Sequence, residues 1–320
     1  MKSSKELNSL YETRLKPTLQ TLEEQRKSVL YKYLTFSLGI VLSIGASLLL
    51  IDHFPPIVII AIVLILVFLF LIYNVSKEQK VYRSLFKQNV VREIVYLINP
   101  EWNYNSEGKI SSMNYQSSGL FEKSWDRYKG DDMVTGVIEK VDFQFSELHT
   151  EYKTVTTQDG KRKEEWHTIF KGIFSHADFN KEIKGRTLVL PDTAEKLFGK
   201  WGQNLQKDSS KGKLIKMENP EFEKLFVVYG SDQIESRYIL TPTMMEAMVN
   251  IRKKYNKNMY FSFIGSRVFV AMSFSQDLFE PRLFRSGVRF EDMENMNQQL
   301  SLIEIIIHEM NLNTRIWTKD

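Results

Sequence analysis

Apolar residues follow three different rhythms along this chain, and each rhythm predicts a different kind of element. From Tyr33 to Ile51 and from Ile57 to Tyr73 they form two uncharged runs, separated only by Asp52-His53-Phe54-Pro55-Pro56. Each run is close to the ~20 residues a helix needs to cross ~30 Å of hydrocarbon, and the short break leaves room only for a tight reversal. A transmembrane helical hairpin with spans 33–51 and 57–73 is the expected result. A cleavable signal sequence is excluded because about thirty residues precede the first run and a second run follows at once. A buried hairpin of a soluble protein would carry a polar face, and the second run has no polar residue before Tyr73.

The flanking segments, 1–32 and 74–99, have helical periodicity instead. Leu7, Tyr11, Leu15, Leu19 and Leu22 recur every three or four residues, with Pro17 placed to kink or restart the helix. Val81, Leu85, Val91, Ile94 and Ile98 make the matching stripe of a second arm that ends near Asn99-Pro100. The arms are of similar length and can pair antiparallel as a stalk, although docking on the rest of the protein would use the same stripe.

Residues 100–320 are expected to form one cytoplasmic domain. Its first thirty residues read as polar loop anchored by Trp102, Tyr115, Phe121 and Trp125. The period then becomes two, with Val137, Val141, Phe143 and Phe145 alternating along a single strand, and Asp159-Gly160 signals a hairpin turn. In a two-residue-turn register Phe145 falls opposite Phe174, His176 opposite Phe143 and His149 opposite Phe170. Further strands are read at 185–191, 213–217, 225–230, 259–264 and 267–274, the last two joined by Gly265-Ser266. Helices are read at 193–206, 242–255 and 290–311. The fold class is α+β: a transmembrane hairpin with helical arms, then a mixed, largely antiparallel sheet with interspersed helices.

Charge sets the orientation. Arg26, Lys27 and Lys32 precede the first span and Lys77, Lys80, Arg83 and Lys87 follow the second, whereas the loop between holds no Lys or Arg, so both termini are expected on the cytoplasmic side of a cell membrane. Arg26, Lys27, Lys77, Lys80 and Arg83 are also placed to meet anionic lipid head groups. A net charge of +4 over 320 residues is too small to indicate nucleic acid. The absence of cysteine excludes disulfides, thiolate nucleophiles and Cys-based zinc sites. Neither span carries a charged residue, so the hairpin reads as an anchor and not a transporter. Thr35, Gly39, Ser43 and Ser47, four residues apart, form a small-residue stripe suited to packing on the second span or to homo-oligomerisation.

Candidate chemistry is sparse. Asp192 with Glu195, and Asp232 with Glu235, have capping-box spacing, and Asn219-Pro220 and Thr241-Pro242 put a capping side chain before a proline at the first helical position. Arg237 is within reach of Asp232, Glu235 or a neighbouring strand. His308 lies in a sequence that lacks the two-histidine zinc spacing, and no nucleophile elbow, phosphate loop or dinucleotide fingerprint occurs, so no cofactor or metal is expected. His176 and Asp178 point the same way from one strand, and with Asp232 and Glu235 they are the candidates for acid/base catalysis.

Several stretches, among them Phe170-Lys171-Gly172-Ile173-Phe174, Gly185-Arg186-Thr187-Leu188-Val189-Leu190-Pro191-Asp192, Glu218 to Pro242 and Leu278-Phe279-Glu280-Pro281, resemble an uncharacterised bacterial family of two-span membrane proteins carrying a C-terminal domain of unknown function. The resemblance implies an anchor-plus-domain architecture in a bacterial inner membrane. It brings no activity or catalytic residue, and it points to a LemA-type membrane protein as a candidate partner. The leading reading is thus a membrane-anchored binding or scaffold module. The alternative is a membrane-tethered hydrolase using His176, Asp178, Asp232 and Glu235, which requires at least three of those side chains to converge in one pocket.

Overall fold

The computed structural model describes residues 4–158, 161–192 and 212–310. The chain divides into a helical unit, Lys2–Ile98 with Phe279–Asn297, and a sheet unit, Asn99–Leu278 with the residues from Gln298 onward.

In the helical unit α1 (Ser4–Leu10) runs through a π turn at Tyr11–Leu15 into α2 (Lys16–Leu50), and after the Pro55-Pro56 reversal α3 (Ile57–Phe86) runs through a second π turn into α4 (Arg92–Ile98). Pro17 starts α2 without bending the chain away. The π turn before it, in which Lys16 N donates to Tyr11 O, absorbs the residue that cannot donate. The two long helices pair antiparallel. Arg14 meets Glu93 at 3.1 Å, Lys32 meets Glu78 at 2.6 Å and the rings of Phe36 and Phe68 stack at 6.4 Å. Gly39 faces the same ring: a Cβ there would lie 2.5 Å from Phe68. The Thr35 hydroxyl donates back to Tyr31 O and that of Ser43, which is buried, to Gly39 O, while Ser47 is half-buried. Leu7, Leu15, Val90, Val91 and Ile94 fill the seam between the arms. The strap Phe279–Asn297 closes over them: Lys87 Nζ pairs with Glu280 Oε1 at 2.9 Å, Arg26 donates to Leu283 O, and the Phe290 ring packs edge-on against Tyr11 at 5.4 Å.

The sheet unit has seven described strands: β1 (Asn103–Asn105), β2 (Arg127–Ile138), β3 (Val141–Gln158), β4 (Lys161–Pro191), β5 (Lys213–Ile215), β6 (Phe226–Gly230) and β7 (Met259–Ser273). All described pairings are antiparallel, in the order β1-β2-β3-β4-β6-β5, with β7 on the free side of β4. The described helices after the arms are α5 (Ser112–Ser117), α6 (Pro220–Glu223), α7 (Gln233–Ile239), α8 (Pro242–Tyr255), α9 (Phe290–Leu300) and α10 (Leu302–Glu309). Both faces of the central strands are buried. One carries a cluster of Tyr115, Leu148, Phe170, Phe174, Leu188, Phe269 and Ala271. The alternate residues Phe145, Ile173, Val189, Val228 and Met272 are buried on the other.

Helix 242–255 falls where the pattern predicts, and the α+β class holds. Several expectations change. Val137 to Phe145 is not one strand: Glu139 adopts φ +57 and turns the chain, so Ile138 pairs with Val141. Residues 100–130 are not only loop, since they include β1 and α5, and Tyr115 is fully buried among Phe121, Trp125, Tyr128 and Phe174. Gly265-Ser266 is no turn. Gly265, at φ +57, is an irregularity inside the single strand β7, after which Phe269 and Ala271 occupy the face that Tyr260 and Ile264 occupy before it. The pattern at 290–311 is broken at Ser301 into α9 and α10. The helix expected at 193–206 and the Asp159-Gly160 turn lie outside the described residues.

The register near that turn is the two-residue one, Gln158 opposite Lys161 and Glu151 opposite Thr168, but one extra residue on β4 shifts the pairing beyond Thr150. Phe145 therefore meets Ser175, His176 meets Gln144 and His149 meets Lys171. Gly172 is what lets β4 take this course. It sits at φ +146, and a Cβ would lie 2.1 Å from Met272 O and 2.8 Å from Phe274 N. Gly172→Ala is expected to cost more than ~2 kcal/mol, because backbone of β7 must move, whereas Gly265→Ala, with φ +57 but open space, should cost about 1 kcal/mol. Denaturant midpoints of the two variants check the order.

Candidate functional site

Two of the four expected catalytic residues share a pocket. His176 and Asp178 on β4, Arg267 on β7 and Gln144 and Asp142 on β3 line a cleft of about 420 Å³, closed on one side by Thr135 to Val137. Register explains the grouping: His176 stands between Gln144 and Phe269, and Asp178 is opposite Arg267. His176 is 5% exposed. Its Nδ1 lies 3.2 Å from an Arg267 guanidinium nitrogen, its Nε2 lies 3.2 Å from the Asn114 amide, and its ring packs on Phe269 at 5.8 Å. Guanidinium only donates, so Nδ1 is the acceptor and the ring proton sits on Nε2, beside the side-chain amide of Asn114. Burial, reinforced by the Arg267 charge, pulls the His176 pKa down to about 4. Both nitrogens are engaged by protein, and the ring is neutral at physiological pH.

Asp232 and Glu235 lie elsewhere. Asp232 caps α7, its Oδ1 accepting from the amides of Ile234 at 2.7 Å and Glu235 at 3.0 Å. Glu235 does not complete a capping box. Its two oxygens instead accept from the amides of Lys184 and Gly185, each at 2.9 Å, while Ser231 Oγ accepts from the amide of Arg186 at 2.8 Å. Three successive amides at the irregular stretch of β4 are satisfied this way. No three of the four residues therefore converge in one pocket, as the hydrolase reading requires. Asn219 and Thr241 cap α6 and α8 as their spacing predicts, and Arg237 donates to Lys216 O at 3.1 Å and faces Glu218 at 3.4 Å. These ends border a second cleft of about 450 Å³, lined by Met217, Pro220, Leu240 and Met245. The partner of Asp192 in its expected box, Glu195, lies outside the described residues.

A third constellation has no sequence signature. Asp131 and Asp132 are consecutive, so in a regular strand they would point to opposite faces. A bulge between Asp131 and Val134, with Asp132 at φ +56, turns both toward Glu147, the partner of Asp131 on β3. An oxygen from each of the three carboxylates lies within 4.8 Å of the others. Tyr104 donates its hydroxyl to Asp132 Oδ1, and Glu147 Oε2 accepts from the amide of Leu278 at 3.0 Å. Glu147 Oε1 is buried with no hydrogen-bond partner. Burial outweighs the Leu278 amide, and with the charges of Asp131, Asp132 and Asp277 it pushes the Glu147 carboxyl up to about 8.

Comparison with known proteins adds little to this geometry. A family model described as "Protein of unknown function (DUF3137)" matches residues 168–312. No curated protein matches the chain. Among solved structures, the chain has a likeness to the mycobacterial trehalose monomycolate transport factor A, TtfA, at 8% identity and a TM-score of 0.32, covering 68% of this chain and 93% of that one. A likeness that loose carries no argument about fold or function.

Two measurements check the roles assigned to His176 and Asp232. The folded-state pKa of His176 lies below its ordinary 6.5, so its contribution is intact above pH 6.5 and is lost as pH falls toward 4, because the unfolded chain takes up a proton that the fold excludes. Stability should drop by about 3 kcal/mol over that window, and the part due to this residue should vanish in His176→Gln. For Asp232, replacement by Ala should cost about 1 kcal/mol and by Asn much less, since Asn also accepts the cap bonds. Thermal melts at fixed pH read both.

Proposed function

We propose that this protein is a membrane-anchored binding module, with α2 and α3 crossing the bilayer between residues 33 and 73 and the sheet unit working in the cytoplasm beside the inner face of a bacterial cell membrane. The observation that carries the reading is the exposure of the long helices. Both are long and apolar enough to cross a membrane, yet only 6% of each apolar window is buried. Leu49 is 80% exposed, Leu48 73% and Ile59 68%. A core helix of a soluble protein hides such residues, and a contiguous apolar surface of this extent in water is far above what soluble monomers tolerate. Hydrocarbon is the medium that satisfies it.

The ends of the apolar stretch support the same orientation. Tyr31 and Tyr73 are exposed at the end away from the Pro55-Pro56 reversal, and Lys77 Nζ sits 4.7 Å from the centre of the Tyr73 ring, the aromatic and basic pairing suited to a lipid head-group layer. Gly39 packs on Phe68 of the other helix and the Ser43 hydroxyl is spent on Gly39 O of its own helix, which supports anchoring over a self-association stripe. For the sheet unit, the neutral, doubly engaged His176 beside Arg267 favours recognition of a ligand or protein partner over proton transfer.

The chain has no cysteine, so single-cysteine labelling is clean. His53→Cys should react with an impermeant maleimide added to intact cells, and Lys224→Cys, at an exposed position, should react only after permeabilisation. Labelling of Lys224→Cys in intact cells overturns the orientation. Release of the protein by alkaline carbonate without detergent overturns the anchor.

A further inference from the structure

In the cluster of Asp131, Asp132 and Glu147, one buried carboxylate oxygen of Glu147 is left without a protein partner. Glu147 is 5% exposed, and of its two oxygens one is held by the Leu278 amide while the other is sealed in without a partner. A buried carboxylate oxygen normally has a donor, whereas here an oxygen of Glu147 lies within 4.8 Å of an oxygen of each of two more carboxylates. Asp277 adds to the negative field, although it is itself paired with Lys171 at 2.8 Å. We propose that this cluster is a site for a hard divalent cation, Ca²⁺ or Mg²⁺, bound by one oxygen from each of Asp131, Asp132 and Glu147.

The donor set fits that class. Three carboxylates without nitrogen or sulfur ligands select a hard ion over zinc or copper. Oxygens separated by up to 4.8 Å match opposite ligands on Ca²⁺, whose bonds run ~2.3–2.6 Å, and need to contract by about 0.6–0.8 Å for Mg²⁺, whose bonds run ~2.0–2.1 Å. Tyr104, by donating to Asp132 Oδ1, fixes that carboxylate as an outer-shell hydrogen bond does in metal sites. Asp131 is only half-buried, which gives the ion a route in and leaves room for water ligands. The backbone is arranged for the purpose: Gly130, immediately before the pair, lies so close to β3 that a Cβ would be 2.5 Å from Glu147 O, and the bulge then rotates Asp132 to the same side as Asp131. A bound ion would tie β2, β3 and the segment at Leu278 together. The inference is independent of the membrane reading.

The test uses the full chain in detergent, stripped with chelator and then titrated separately with CaCl₂ and MgCl₂ while melting is followed. One of the two ions should raise the melting temperature saturably by about 5 °C at millimolar concentration or below. Tb³⁺ should give tyrosine-sensitised luminescence, with Tyr104 as the nearest antenna, displaced by the ion that stabilises. Glu147→Gln, which keeps the volume and removes the charge, and Asp131→Asn, at the half-buried position where folding is least at risk, should each weaken binding at least tenfold. Glu147→Gln should also melt no lower than the stripped wild type, since the uncompensated charge is gone. An unchanged wild-type melt in both ions with no Tb³⁺ signal overturns the proposal and leaves a proton-sharing cluster. Equal stabilisation of wild type and both variants overturns it as well, because the ion then binds elsewhere.

Discussion

The architecture of the sheet unit depends on keeping one very long strand hydrogen-bonded on both sides. β4 runs for 31 residues, and a strand of that length accumulates too much twist to stay in register with the same neighbours throughout. It changes neighbours instead. The first part pairs with β3, the last part with β6, and β7 follows the other side across both. Between them, around Ile183 to Arg186, the ladder is irregular, and the freed amides are taken by Glu235 and Ser231 at the start of α7. Carboxylates that look like chemistry in the sequence are in this sense backbone ligands, standing in for a missing strand.

The same need accounts for the placement of both polar clusters. Each irregularity in a ladder moves a side chain out of the alternation that would otherwise bury or expose it. The extra residue beyond Thr150 sets His176 opposite Gln144, in a cleft with Arg267, where both of its nitrogens find partners. The bulge after Asp131 puts a second carboxylate beside the first.

Features set by composition or by near neighbours in the chain were legible in advance: the two apolar helices, the helix from Pro242 to Tyr255, and the caps at Asn219, Asp232 and Thr241. Features set by a single residue's backbone were not. Glu139 and Asp132 adopt positive φ without being glycine, so nothing marks the turn or the bulge, and Gly265 at φ +57 looks in sequence like the hairpin turn it is not. The acidic cluster was illegible for a further reason: adjacent aspartates on a strand imply opposite faces, and the third member lies fifteen positions away on another strand. His176 and Asp178 were found because alternation holds across those two residues. The capping-box spacing assigns Glu235 to its own helix because it takes no account of a strand fifty residues upstream.

The π turn ahead of Pro17 has a mechanical side. By absorbing the proline it keeps the helix from Lys5 to Leu50 continuous, and its partner runs unbroken from Ile57 to Ile98. Counted from Tyr33 back to Lys5, the pair extends about 40 Å beyond the apolar stretch at 1.5 Å per residue. Two helices joined along that whole length, and strapped by Phe279–Asn297, resist bending far better than one. A tilt of about ten degrees at the Tyr33 end would sweep the far tip through roughly 7 Å, estimated from that length. The helix pair is thus also a lever, converting small changes in the tilt of its apolar part into displacements of several ångströms at its far tip, roughly as estimated from its length.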